Sequence, residues 1–214
     1  MTDHQPGSTR YGMRGMLRIL AWTLAWGVMG AALYISGVFN SPRTGPLWVA
    51  LAGGAIAWAH AGAFTFPVAS PGLTRHRHAT GLLIWALAYL LSFGLTVLFT
   101  TLIPDTLGGI LMLLLGLALG AAAGAFASTW LLARDSRLRR SLLAAGVWLL
   151  SFFAGSYIAL FGLYLGPEVT KLALASVIGM AAALTLGSGM GAALGGLAAA
   201  LLAAALTRML RRSL

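Results

Sequence analysis

The sequence predicts an all-α integral membrane protein, a bundle of six transmembrane helices. Three observations carry this: an excess of apolar residues, six long stretches free of charge, and arginines gathered at the borders of those stretches. Of the 214 residues, 59% are hydrophobic and 8% charged, against about 45–50% and about 25% in soluble domains. A charge at the bilayer centre costs roughly 2.5–3.5 kcal/mol on insertion scales, so uncharged runs mark what lipid can solvate.

The runs are Ile19 to Pro42, Thr44 to Thr74, Ala79 to Pro104, Thr106 to Ala133, Ser141 to Pro167 and Leu172 to Thr207. Each exceeds the roughly 20 residues that cross a hydrocarbon core of about 30 Å, and in lipid a single segment satisfies its backbone only as a helix. The first run follows the basic segment Met1 to Arg18. It is longer than the core of a cleaved signal, about 7–15 residues, and so reads as an uncleaved helix. The connections around Arg43, Asp105 and Glu168 read as tight turns. The sixth run, 36 residues, would extend roughly 54 Å as a straight helix. Breaking it at Gly187-Ser188-Gly189 would place Arg208, Arg211 and Arg212 on the opposite side from the other arginines, so one tilted or kinked helix is expected. The chain then divides into an N-terminal tail, 1–18, a transmembrane domain, 19–207, and a basic tail, 208–214.

Basic residues in short loops stay on the cytoplasmic side. With the N-terminus inside, twelve arginines from Arg10 to Arg212 are cytoplasmic, and only Arg43 and Lys171 lie outside. A bacterial-type inner membrane with both ends cytoplasmic is the expected location. The net charge of +10 is expected to meet anionic lipid headgroups rather than nucleic acid, because the arginines cluster at helix ends. The chain has no cysteine, which excludes disulfides and thiolate chemistry.

A repeat is also legible. Aligning Trp22, Tyr89 and Trp148 brings Trp26, Phe93 and Phe152 into register four residues later, an aromatic pair on one face of each odd-numbered helix. The even helices carry small residues every fourth position: Gly53, Ala57 and Ala61 in the second, Gly116, Gly120 and Gly124 in the fourth, and Gly179, Gly187, Gly191 and Gly195 in the sixth. Three repeated helical hairpins, each pairing a bulky helix with a smooth one, are the expectation. Such stripes let helix backbones approach closely in lipid. They are expected to pack within the chain, and the sixth helix is the one expected to meet a membrane protein partner.

His60 is the one ionisable side chain well inside a span, which makes it the candidate cofactor-binding residue. Without a second intramembrane histidine for an axial pair, it is expected to serve packing through a hydrogen bond across helices. No cofactor or metal site is expected. Arg75-His76-Arg77-His78 reads as a topology anchor, since adjacent arginines repel cations.

Gly187-Ser188-Gly189 is similar to the nucleophile segment of rhomboid-type intramembrane proteases. Leu186 stands where that family has glycine, and no histidine base follows His78. Nucleophilic catalysis is therefore not expected, and neither is coupled ion transport, which needs intramembrane charge. The sequence reading is a non-catalytic accessory or scaffold subunit of a membrane complex. The alternative is a small-molecule transport component, permease-like or substrate-binding. Six helices and two cytoplasmic ends resemble the substrate-binding component of energy-coupling vitamin transporters, and Ala21 and Ala25 match the small-residue spacing of that family's first helix. In this alternative a shallow outer site would be bordered by Arg43, Asp105, Glu168 and Lys171, with Tyr34, Trp48, Tyr157 and Tyr164. The two readings separate on one observation: a polar, outward-facing pocket lined by several of these residues favours transport, and a tightly filled bundle favours the scaffold.

Overall fold

Each uncharged run becomes one helix in the computed structural model, which describes residues 8–37, 46–66, 74–102, 106–132 and 137–213. The helices are α1 Ser8–Ile35, α2 Leu47–Thr65, α3 Thr74–Leu102, α4 Thr106–Leu132, α5 Arg137–Ile178 and α6 Met180–Ser213. All six are long and apolar enough to cross a membrane, and no strand occurs among the described residues. Helix α1 begins at Ser8 and α6 runs to Ser213. The two basic ends are thus helical where described.

Consecutive helices pack side by side, and α6 returns to pack against α1. The result is a closed up-and-down ring. An even number of passes puts both chain ends at one end of the ring, called here the terminal end; the other is the far end.

Helix α5 corrects one expected boundary. It passes through Pro167 without stopping and reaches 42 residues. Proline removes one backbone hydrogen bond and crowds the preceding turn, yet the segment is held from the side by α6. Thr170 Oγ1 donates to Ala183 O at 2.6 Å, and Gly166 lies directly against Gly187. The chain reverses at Gly179, whose φ of +85° is accessible to glycine without strain. Gly179 therefore belongs to the turn and not to the small-residue stripe of α6. Glu168 and Lys171 lie on the surface of α5, Nζ 3.5 Å from Oε2, rather than in a loop. Helix α6 is continuous through Gly187-Ser188-Gly189.

The seams of the ring are built from small residues. Gly155, Gly162 and Gly166 of α5 oppose Gly195, Gly191 and Gly187 of α6, so closely that a methyl group at any of them would overlap the facing backbone. On its other side α6 meets α1, with Gly30 against Ser188 and Ala192, and Gly196 against Trp26. Gly116, Gly120 and Gly124 of α4 receive Thr96, Ser92 and Ala88 of α3. Close backbone approach takes the place of the hydrophobic drive that lipid removes. The stripe of α6 is thus occupied by this chain's own helices. What α6 turns outward is bulky and apolar: Leu186, Met190, Leu194 and Leu201 are all exposed.

Aromatic side chains fill the centre of the ring in its terminal half. The Trp22 ring lies 5.1 Å from Trp85, 4.9 Å from Trp148, 5.9 Å from Trp58 and 5.1 Å from Phe152. Trp85 and Trp148 are themselves 5.6 Å apart, so three tryptophans from α1, α3 and α5 touch one another. Offset and edge contacts of this kind add about 0.5–1.5 kcal/mol per pair beyond burial. The Trp22 indole N–H donates to Thr65 Oγ1 at 2.8 Å, and Thr65 in turn donates to Ala61 O. The α3 ring that touches Trp22 and Trp148 is Trp85; Tyr89 stands one turn on, 5.4 Å from Trp58.

Candidate functional site

Beyond the aromatic plug, toward the far end, the ring encloses a cavity of about 610 Å³. The position follows from which part of each helix lines it. Helices α1, α3 and α5 contribute residues past their aromatic pairs, including Met29, Phe93 and Leu163; α2 and α4 contribute early turns, through Leu51, Leu113 and Leu117. Trp26 and Tyr89 form the floor, buried at 0% and 1% exposure. The space falls in the range of about 300–1,000 Å³ typical of small-molecule sites.

The walls are aliphatic and aromatic. Tyr89 is the one lining residue that carries an ionisable group. Its hydroxyl donates to Ala50 O of α2 at 2.8 Å, and its ring lies over Gly54, where any side chain would collide with it. Trp26 Nε1 and Ser156 Oγ have no hydrogen-bond partner among the described residues, and both belong to lining residues. The cavity therefore offers mainly apolar burial, worth about 25 cal/mol per Å² of ligand surface removed from water, and among its lining residues there is no Asp, Glu, His, Lys or Arg. No cluster of three metal-ligating side chains occurs among the described residues.

Replacing Tyr89 by phenylalanine keeps the ring over Gly54 and deletes the bond to Ala50. The expected cost is about 0.5–1.5 kcal/mol, read as a small fall in the thermal midpoint of purified protein. An unchanged midpoint would mean that the bond does not tie α2 to α3.

None of the described residues proposed from sequence as an outer site lines this cavity. Arg43 and Asp105 lie outside the described residues. Glu168 and Lys171 are exposed on α5 and engage each other. Trp48, Tyr157 and Tyr164 are exposed and point away from the ring's interior, and Tyr34 does not line the cavity either. The walls eluded sequence reading because Leu33, Leu51, Leu117 and Leu160 are the residue type that also faces lipid. One signal was present: the aromatic pairs on the odd helices mark the inward face, and a lining residue, Leu33, Val97 or Ser156, follows them along each helix.

His60 also departs from expectation. It is exposed on the outward face of α2, flanked one turn away by Ile56 and Phe64, and its Nδ1 lies 2.8 Å from Ile56 O of the same helix. Among the described residues it makes no bond across helices. Replacing His60 by leucine should shift stability by no more than about 0.5 kcal/mol, as at other surface positions; a larger loss in the purified protein would show that His60 holds something. Compared with known proteins, the chain matches no family model, no curated protein and no solved structure.

Proposed function

We propose that this chain is a non-catalytic multi-pass membrane protein that holds a small apolar molecule inside its helix ring. The carrying observation is the 610 Å³ cavity. A cavity among the helices argues against the tightly filled bundle expected of a scaffold, although it is apolar and none of its lining residues is among those expected to border a polar transport site. The small-residue stripe of α6, which supported a partner subunit, is spent on α5 and α1, and this weakens the scaffold reading further. The chamber is closed toward the terminal end by the tryptophan plug. With the arginine-rich ends in the cytoplasm of a bacterial-type cell, where the charge rule puts them, the chamber faces outward.

The chain also reads as three hairpins. Trp85 follows Trp22 by 63 residues and Trp148 follows Trp85 by 63; Trp26, Tyr89 and Phe152 keep the same interval, as do Arg14, Arg77 and Arg140. A threefold repeat explains why three tryptophans meet on one axis.

The test is saturable binding of an uncharged, environment-sensitive dye such as Nile red to purified protein in lipid nanodiscs. One site per chain is expected. Leu117→Trp and Leu51→Trp, which fill the cavity from α4 and α2, should each weaken binding at least tenfold while leaving the protein monodisperse. Binding that is unsaturable, or equal in both variants and the parent, would remove the proposal.

A further inference from the structure

We infer that the natural occupant of the cavity is the acyl chain of a bilayer lipid, which enters sideways between α2 and α3 and leaves its polar head outside the ring. This rests on the proposed reading of the cavity as a binding site and deepens it by naming the ligand class and its route.

The route follows from where α2 and α3 touch. Their contacts are Gly62 with Trp85, Ala63 with Gly81, Gly54 with Tyr89, and the Tyr89 hydroxyl with Ala50 O. Past Ala50 toward the far end, α2 has only one further turn, ending at Leu47, whereas α3 continues from Tyr89 to Leu102. Along this stretch the two helices line the cavity together. Three lining residues there are exposed: Leu47 at 43%, Val97 at 46%, and Gly94, where an added side chain would meet nothing within 4 Å. The lining residues of α1, α4 and α5 are buried or half-buried without exception. The cavity is thus open through one wall, between α2 and α3.

The ligand class follows from the chemistry of that opening. Its outer surroundings on α3, Leu90, Leu91 and Leu98, are exposed and apolar. No Asp, Glu, Lys or Arg occurs from residue 79 to 102 or from 46 to 66, so among the described residues nothing at the mouth or in the walls neutralises a charged ligand. A charged or strongly polar molecule would lose its hydration without replacement. A hydrocarbon chain loses nothing, because the medium beside the opening and the cavity itself are equally apolar. From Tyr89 to Val97 the α3 wall is about 12 Å long at about 1.5 Å per residue, an elongated slot suited to a chain rather than to a compact ring system.

The experiment uses the full-length protein in vesicles containing phosphatidylcholine with a photoactivatable diazirine in its acyl chain, with crosslinked residues located by peptide mass spectrometry. Labels are expected on the interior residues Phe93, Leu117 and Leu163 as well as on outward residues such as Leu87 and Leu150. Gly94→Trp, placed where space is open, should cut the interior label at least fivefold and leave the outward label unchanged; Gly94→Ala should change neither. Labels confined to outward residues would overturn the inference, as would interior labels that persist in Gly94→Trp. Nile red binding to the same samples separates the two levels. If the dye still binds saturably and Leu117→Trp abolishes it, the chamber stands and only lateral lipid entry has failed. If the dye does not bind either, the chamber reading has failed with it.

Discussion

Replacing Gly187 and Gly191 together by leucine should leave little or no folded protein. Both face glycines of α5, Gly166 and Gly162, across a seam where even one methyl group would overlap backbone atoms. Overpacking a core by side-chain atoms costs about 1–3 kcal/mol when neighbouring side chains can move. Here the neighbour is a helix backbone, so α5 and α6 must separate along their length. Separation also breaks the Thr170 hydroxyl bond to Ala183 O, which steadies α5 where Pro167 has removed a backbone bond. Against a total stability of about 5–15 kcal/mol, two such insertions are expected to abolish the monodisperse peak in size-exclusion chromatography. Leu194→Ala, on the outward face of the same helix, should leave that peak intact. A double variant that elutes and melts like the parent would show that the α5–α6 seam is not close.

Trp22→Ala is expected to be the most damaging single substitution, costing about 3–5 kcal/mol, the range for removing a large buried aromatic side chain. Trp22 is 1% exposed and touches rings from α2, α3 and α5 at once. Its removal opens a void at the centre of the plug and strands the hydroxyl of Thr65 as an acceptor without its donor. Trp22→Phe separates the two effects. It retains much of the ring contact and deletes the N–H, so its cost should be clearly smaller than that of alanine. Thermal unfolding of the two variants beside the parent measures the difference. Equal melting of all three would contradict a shared aromatic core.

The number of helices and their approximate spans were legible because a charge-free run long enough to cross a bilayer has one backbone arrangement that lipid could solvate, the helix. The end of α5 was not. Pro167, Glu168 and Lys171 read locally as a turn, yet Gly166 and Thr170 are clamped by Gly187 and Ala183 on the next helix, and this tertiary support overrides the local signal. The reversal instead falls at Gly179, which sequence periodicity had assigned to a packing stripe. The aromatic positions Trp22, Trp148 and Phe152 did mark faces that meet at the ring's centre, although the α3 ring that joins Trp22 and Trp148 there is Trp85, one turn before Tyr89. His60 was misread because depth in a span says nothing about direction around the helix. The cavity was the least legible feature. It arises from ring closure, from leucines on α1, α2, α4 and α5 that do not quite meet, and no single segment records a space between itself and others.

The claim on which the cavity depends is that α6 closes against α1, and a pair of introduced cysteines tests it directly. The parent chain contains no cysteine. A Cβ at Gly27 would lie 3.5 Å from the Cβ of Ala193, at the short end of the range of about 3.5–4.5 Å found in disulfides. Gly27→Cys combined with Ala193→Cys should therefore crosslink nearly completely on mild oxidation in membranes, shifting the mobility of the chain on a gel. Gly27→Cys with Leu194→Cys, whose side chain points outward, should not. An absent crosslink in the first pair, or equal crosslinking in both, would mean that the ring is open and encloses no chamber.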